Sequence, residues 1–128
     1  MKIFKEEESS WDAKVNFVDG NDVFVGYDTD QCCCEHADWF IADTITSYSY
    51  DSYRDSKEVP CVEDYVFDKD FFQEIESDDL DEGGMVAFRL IAKDKPDLYL
   101  HLFNCHNGYY GHGFEVKHGG EIVKSGSL

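Results

Sequence analysis

Two stretches of apolar alternation, each broken once by a polar turn, commit this chain to a fold containing an antiparallel sheet. From Trp11 to Tyr27, Val15 and Phe17 and then Val23, Val25 and Tyr27 recur at the strand period. Between them Asp19-Gly20-Asn21-Asp22 supplies the positive-φ positions of a tight turn. The pattern returns from Met85 to Asn104. Val86, Phe88, Leu90 and Ala92 share a face of one strand, Leu98, Leu100 and Leu102 share a face of the next, and Asp94-Lys95-Pro96-Asp97 joins them. These faces are the expected core, and Tyr99, His101, Phe103 and Cys105 fall on the opposite face of the later strand. Short strands at Gly113 to Lys117 and around Glu121 to Lys124 follow glycine-bearing turns, whereas Glu6 to Ser10 reads as a polar lead-in.

Two other segments carry helix signals. Asp28, Thr29 or Asp30 offers an N-cap, after which Cys33, Ala37, Phe40 and Ile41 fall at i, i+4, i+7 and i+8 and predict a short helix with one buried stripe. Asp68 caps a second predicted helix, Lys69 to Glu76, whose narrow apolar face is Phe71, Phe72 and Ile75. The expected fold class is therefore α+β, a mainly antiparallel sheet built from hairpins with one or two short helices packed on it. A length of 128 residues with 42% apolar content and two prolines fits one domain, residues 1–128. The Ser-, Thr-, Tyr- and Asp-rich stretch from Asp43 to Pro60 predicts an edge strand or surface loop, with Tyr48, Tyr50 and Tyr53 available as interface anchors.

Charge narrows the function classes. The net charge is −17, and residues 1–82 carry 24 Asp and Glu against six Lys and Arg, while residues 83–128 carry four against five. Such a field repels nucleic-acid phosphates and anionic lipid, so direct nucleic-acid or membrane binding is disfavoured and a basic protein surface is favoured. The acidic turn holding Asp78, Asp79, Asp81 and Glu82 is the densest candidate for that contact. It imitates the start of a calcium loop but places Gly83 at the fifth position and Leu90 at the twelfth, where a bidentate Glu is required. No apolar run is long enough to cross a membrane as a helix, and the segment after Met1 turns acidic, so a cytoplasmic location is expected.

Five cysteines, three of them consecutive, make a poor disulfide framework and read as free thiols in a reducing compartment. The alternative is a zinc site drawn from Cys32, His36, Cys105 and His106, with His112 nearby in the chain, because zinc takes four tetrahedral Cys or His ligands. Cys32 and His36 form an i, i+4 pair on the first predicted helix, but neither segment has the C-x-x-C spacing, so no cofactor is the leading expectation. A thiol nucleophile near the helix N-terminus with His106 or His112 as base is the catalytic version of the same idea. No nucleophile-turn signature accompanies the cysteines, so non-covalent binding is expected rather than catalysis.

The segments GYDTDQCCCEHADWFI (residues 26–41) and NCHNGYYGHGF (residues 104–114) are similar to small uncharacterised proteins of bacteria and their phages. The resemblance covers about a fifth of the chain and implies a bacterial or phage origin; it carries over no activity and no ligand residue. In NCHNGYYGHGF the glycines suit a turn joining two strands. In size and charge the chain also resembles acidic DNA-mimicking inhibitors. The expectation from the residues is a small acidic protein-binding module that meets a basic partner, in one form as such a mimic.

Overall fold

The computed structural model describes residues 1–9, 12–29, 36–46, 61–76, 83–105 and 112–128. Ten strands run through them: β1 (Lys2–Ser9), β2 (Asp12–Val18), β3 (Val23–Asp28), β4 (His36–Ala42), β5 (Val66–Phe67), β6 (Gln73–Ile75), β7 (Gly84–Ile91), β8 (Leu98–Cys105), β9 (Gly113–His118) and β10 (Glu121–Ser127). They form two antiparallel sheets. The first has the order β1-β2-β3-β9-β10, and the second the order β4-β8-β7-β5 with β6 also paired to β7.

Both predicted hairpins are present as β2–β3 and β7–β8. Asp22 and Asp94 occupy the left-handed region at φ 60° and 61° in their turns, which aspartate tolerates because its short polar side chain can bond locally. Gly119 and Gly120, both at positive φ, close the β9–β10 hairpin with the two-residue turn that best matches strand twist.

The α+β expectation is overturned: among the described residues there is no helix, and the fold is all-β. The first predicted helix is replaced from His36 onward by β4, and its residues 30–35 lie outside the described ones. The stripe was misleading because the second sheet is covered on both faces. Ala37, Trp39 and Ile41 pack into the space between the sheets, while Phe40 is buried on the far face with Phe103 and Met85, so apolar residues run consecutively. The second predicted helix, Lys69 to Glu76, is a turn followed by β6. Its neighbours Phe71 and Phe72 diverge, Phe71 to Arg89 and Tyr99, and Phe72 to Phe88 and Phe114, as extended backbone requires. The polar lead-in is also structured, since residues 6–9 complete β1 against β2. Residues 47–60, with Tyr48, Tyr50 and Tyr53, lie outside the described residues.

The two sheets pack face to face. Val15, Phe17, Val23, Val25 and Tyr27 of the first meet Val86, Phe88, Leu90, Leu100 and Leu102 of the second. Each fully buried side chain of this size contributes roughly 1.5–3 kcal/mol of transfer free energy. Three polar fasteners cross between the layers. The Met1 ammonium donates to the carbonyls of Val62, Glu63 and Tyr65 at 2.9, 2.9 and 3.0 Å. The buried Asp19 carboxylate accepts from the backbone N–H groups of Asn21 and Val23 through Oδ1, at 2.8 and 2.9 Å, and from Phe67 through Oδ2, at 2.9 Å. The Tyr27 hydroxyl donates to the Phe103 carbonyl at 2.7 Å. Tyr27→Phe is therefore expected to cost about 1–2 kcal/mol in urea unfolding, the price of a buried hydrogen bond with its acceptor left behind; an unchanged midpoint would show that the bond contributes nothing net.

Candidate functional site

The chain passes between the sheets twice at one end of the sandwich. It leaves the first sheet after Asp28 and enters the second at His36, then leaves the second after Cys105 and re-enters the first at Gly113. β3 pairs with β9 and β4 pairs with β8, so the described strand ends on either side of these passages are neighbours within each sheet. The turn expected within NCHNGYYGHGF falls on residues 106–111, which lie outside the described residues, as do residues 30–35; the strands they connect, β8 to β9 and β3 to β4, belong to different sheets.

This topology joins residues that are far apart in sequence. His36 and Cys105 are register partners at the ends of β4 and β8, and Cys105 is half-buried. His112 is buried, and its Nδ1 lies 2.8 Å from the Asp28 carbonyl and 3.8 Å from Asp28 Oδ1. A carbonyl can only accept, so Nδ1 carries the proton and Nε2 holds the ring lone pair in the neutral imidazole. The backbone of His112 exchanges two hydrogen bonds with Leu128, at 2.9 and 2.8 Å, and the Asn104 amide donates to the Leu128 carbonyl at 3.1 Å. The Asp28 carbonyl at the end of β3 orients the ring, while Leu128, itself held by Asn104 of β8, fixes the His112 backbone. Imidazoles that ligate metals are commonly oriented in this way, through a hydrogen bond from the other ring nitrogen.

A second imidazole has a different role. His101, fully buried on the far face of the second sheet, stacks on Phe40 with ring centroids 4.3 Å apart. Its Nδ1–H donates to the Tyr99 carbonyl at 3.1 Å and its Nε2 accepts from the Thr46 N–H at 3.2 Å. Burial pushes its pKa from 6.5 down to about 4, against the smaller opposing effect of hydrogen bonds to the Tyr99 and Phe40 backbone. This is a neutral structural histidine, tying Thr46 to the sheet.

Of the sequence-derived candidates, His36 and Cys105 are brought together, and His112 is placed at the same end beside Asp28. Cys32, His106, Asp78, Asp79, Asp81 and Glu82 lie outside the described residues. Among the described residues no three His, Cys, Asp or Glu side chains converge as a metal-binding group. Among the same described residues no helix is long and apolar enough to cross a membrane. Asn104 belongs to the NCHNGYYGHGF stretch already singled out, whereas Asp28 and Leu128 were missed as members of this end, since their meeting with His112 depends on long-range pairing.

The architecture defines a two-sheet antiparallel β-sandwich whose crossovers gather Cys, His and Asn at one end. A family model described as Domain of unknown function (DUF7448) matches residues 1–116, and the chain belongs to that family. The matched residues end within β9, before β10. No curated protein and no solved structure matches the chain.

Proposed function

We propose that this chain is a cytoplasmic binding module that acts by non-covalent contact, its acidic surface meeting a basic protein. The observation that carries the reading is uncompensated charge. Glu6, Asp22, Asp43, Glu63, Asp70 and Glu76 are exposed and hold no ion pair with a described residue, and all belong to the strongly acidic first two thirds of the sequence. Carboxylates left without internal partners keep their full field for an incoming cationic surface and speed its encounter. In its sharpest form the partner is a DNA-binding protein of a bacterium or phage, and the carboxylates occupy its DNA cleft.

Affinity capture of partners at increasing ionic strength tests this. Binding is expected to weaken at least roughly ten-fold as salt rises from about 0.01 to about 1 M, over which the Debye length contracts from about 30 to about 3 Å. Salt-insensitive capture, or partners without a basic surface, would count against it. Competition by duplex DNA for the same partner distinguishes the mimic form.

A second reading rests on the crossover end. The pairing of His36 with Cys105 and the fixed tautomer of His112 favour a zinc- or thiol-dependent site there, completed by Cys32 or His106. Elemental analysis of the purified protein is expected to show stoichiometric zinc in that case, or else a thiol reacting abnormally fast with maleimide. Absence of both removes this reading and leaves the first intact.

A further inference from the structure

Three large apolar side chains are exposed among the described residues, and two of them, Ile122 and Val123 at 59 and 62%, are adjacent on β10. β10 ends the strand order of the first sheet, all seven of its residues are exposed, and no described strand pairs with its outer side. An apolar edge strand with free backbone groups is a template for another strand. In a chain of net charge −17, β10 is also neutral, with Glu121 balanced by Lys124. Neither of these two side chains has an ion pair with a described residue.

The register with β9 fixes the face on which each residue falls. Glu121 pairs with His118, Ile122 with Lys117 and Lys124 with Val116, so Ile122 lies one step from each charged residue and Val123 is the extra residue of a β-bulge. Val116 packs against the core between the sheets and His118 shares its face, which puts Glu121 and Lys124 on that inner face. Lys124 extends there over the Phe72 ring, 3.8 Å from its centroid. Ile122 falls on the outer face with Lys117, whose ammonium lies over Phe24. A two-residue turn closes on a hydrogen-bonded pair, here His118 and Glu121, so by alternation the Ile122 N–H and C=O point to the free edge.

This pattern is complementary to itself when one strand is reversed. An antiparallel two-fold through Ile122 sets its N–H and C=O against those of Ile122 in a second copy, and sets Glu121 of each copy opposite Lys124 of the other on the inner face. We propose that β10 joins a second copy of this chain by antiparallel pairing about Ile122, making one continuous sheet of the two first sheets, with two Glu121–Lys124 contacts selecting the register. The bulge at Val123 increases the local twist and keeps the shared ladder short, so the product is a reversible dimer. The interface is separate from the acidic surface of the proposed function and does not rest on it.

Sedimentation equilibrium of the full chain tests the pairing. A concentration-dependent monomer–dimer equilibrium is expected, with amide exchange at Ile122 slowing as the dimer accumulates. Glu121→Lys places lysine opposite lysine at two positions and is expected to weaken the dimer at least roughly ten-fold, because each cross-strand ion pair becomes a like-charge pair. The same change makes each copy less negative than −17, so association governed by overall repulsion would strengthen instead. Adding Lys124→Glu restores opposite charges across the two-fold and is expected to return the dimer to within roughly three-fold of the native constant. A monomer at every concentration up to about 1 mM would overturn the proposal. So would equal or tighter association of Glu121→Lys, failure of the double variant to recover, or slowed exchange gathered on β1 rather than β10.

Discussion

Asp19→Ala is expected to lower the unfolding free energy by about 3 kcal/mol, because three backbone N–H groups, two of them in buried hydrogen bonds, lose their carboxylate acceptor at one stroke. Two of these donors shape the β2–β3 turn and the third belongs to β5 in the other sheet, so the substitution loosens the turn and unpins the layers together. For a domain of this size the melting temperature should fall by roughly 10 °C. Asp19→Asn retains one acceptor oxygen but aims an amide at a donor, and about 2 kcal/mol is expected to be lost. Urea and thermal unfolding of both variants provide the check. Loss below about 1 kcal/mol for the alanine variant would mean that the turn and β5 recruit other acceptors.

His101 is expected to make stability fall in acid. Its pKa in the fold is about 4, against 6.5 ordinarily, so between these values the unfolded chain binds a proton that the folded chain refuses. The contribution of the neutral ring is complete above pH 6.5 and is lost progressively as pH falls to about 4, amounting to about 3 kcal/mol across that window. Carboxylate titration overlaps the same range in a chain with 28 acidic residues, so the measurement must be a difference. The stability advantage of the native protein over His101→Gln should shrink by about that amount as pH falls from 6.5 to 4. Parallel pH curves would show that His101 is hydrated or charged in the fold. Protonation of Nε2 also removes the acceptor for the Thr46 N–H, so amide exchange at Thr46 should quicken over the same range.

The parts of the fold that were legible in the sequence are those whose core-facing residues repeat at the strand period on either side of a recognisable turn. β2 and β3 alternate apolar with other residues about a turn whose Asp and Gly announce themselves, and β7 and β8 carry a shared leucine and valine face. The second sheet hid β4 because Phe40, His101, Phe103 and Met85 fill its far face, leaving no alternation to separate a strand from a helical stripe. β6 was hidden by the adjacent Phe71 and Phe72, which count as one face at helical spacing and two at strand spacing. The candidate end was half legible. Its residue types stood out as a dense run of Cys, His and Asn, but the partnership of His36 with Cys105 and of His112 with Asp28 is a property of register between remote strands.

The two crossovers also govern the order in which the molecule can be assembled. β3 must wait for β9, and everything from β4 to β8 lies between them in the chain, so one sheet closes only after the segments of the other have been made. During synthesis the β1–β2–β3 meander emerges early and keeps an unpaired edge, while Phe114 and Val116 arrive near the end. Such nested, remote pairing carries a large loop-closure cost before it is rewarded, which makes for slow folding and a long exposure of that edge. The chain's many like charges then have a use that begins before any partner is met: they keep the unfinished sheet from pairing with another copy of itself.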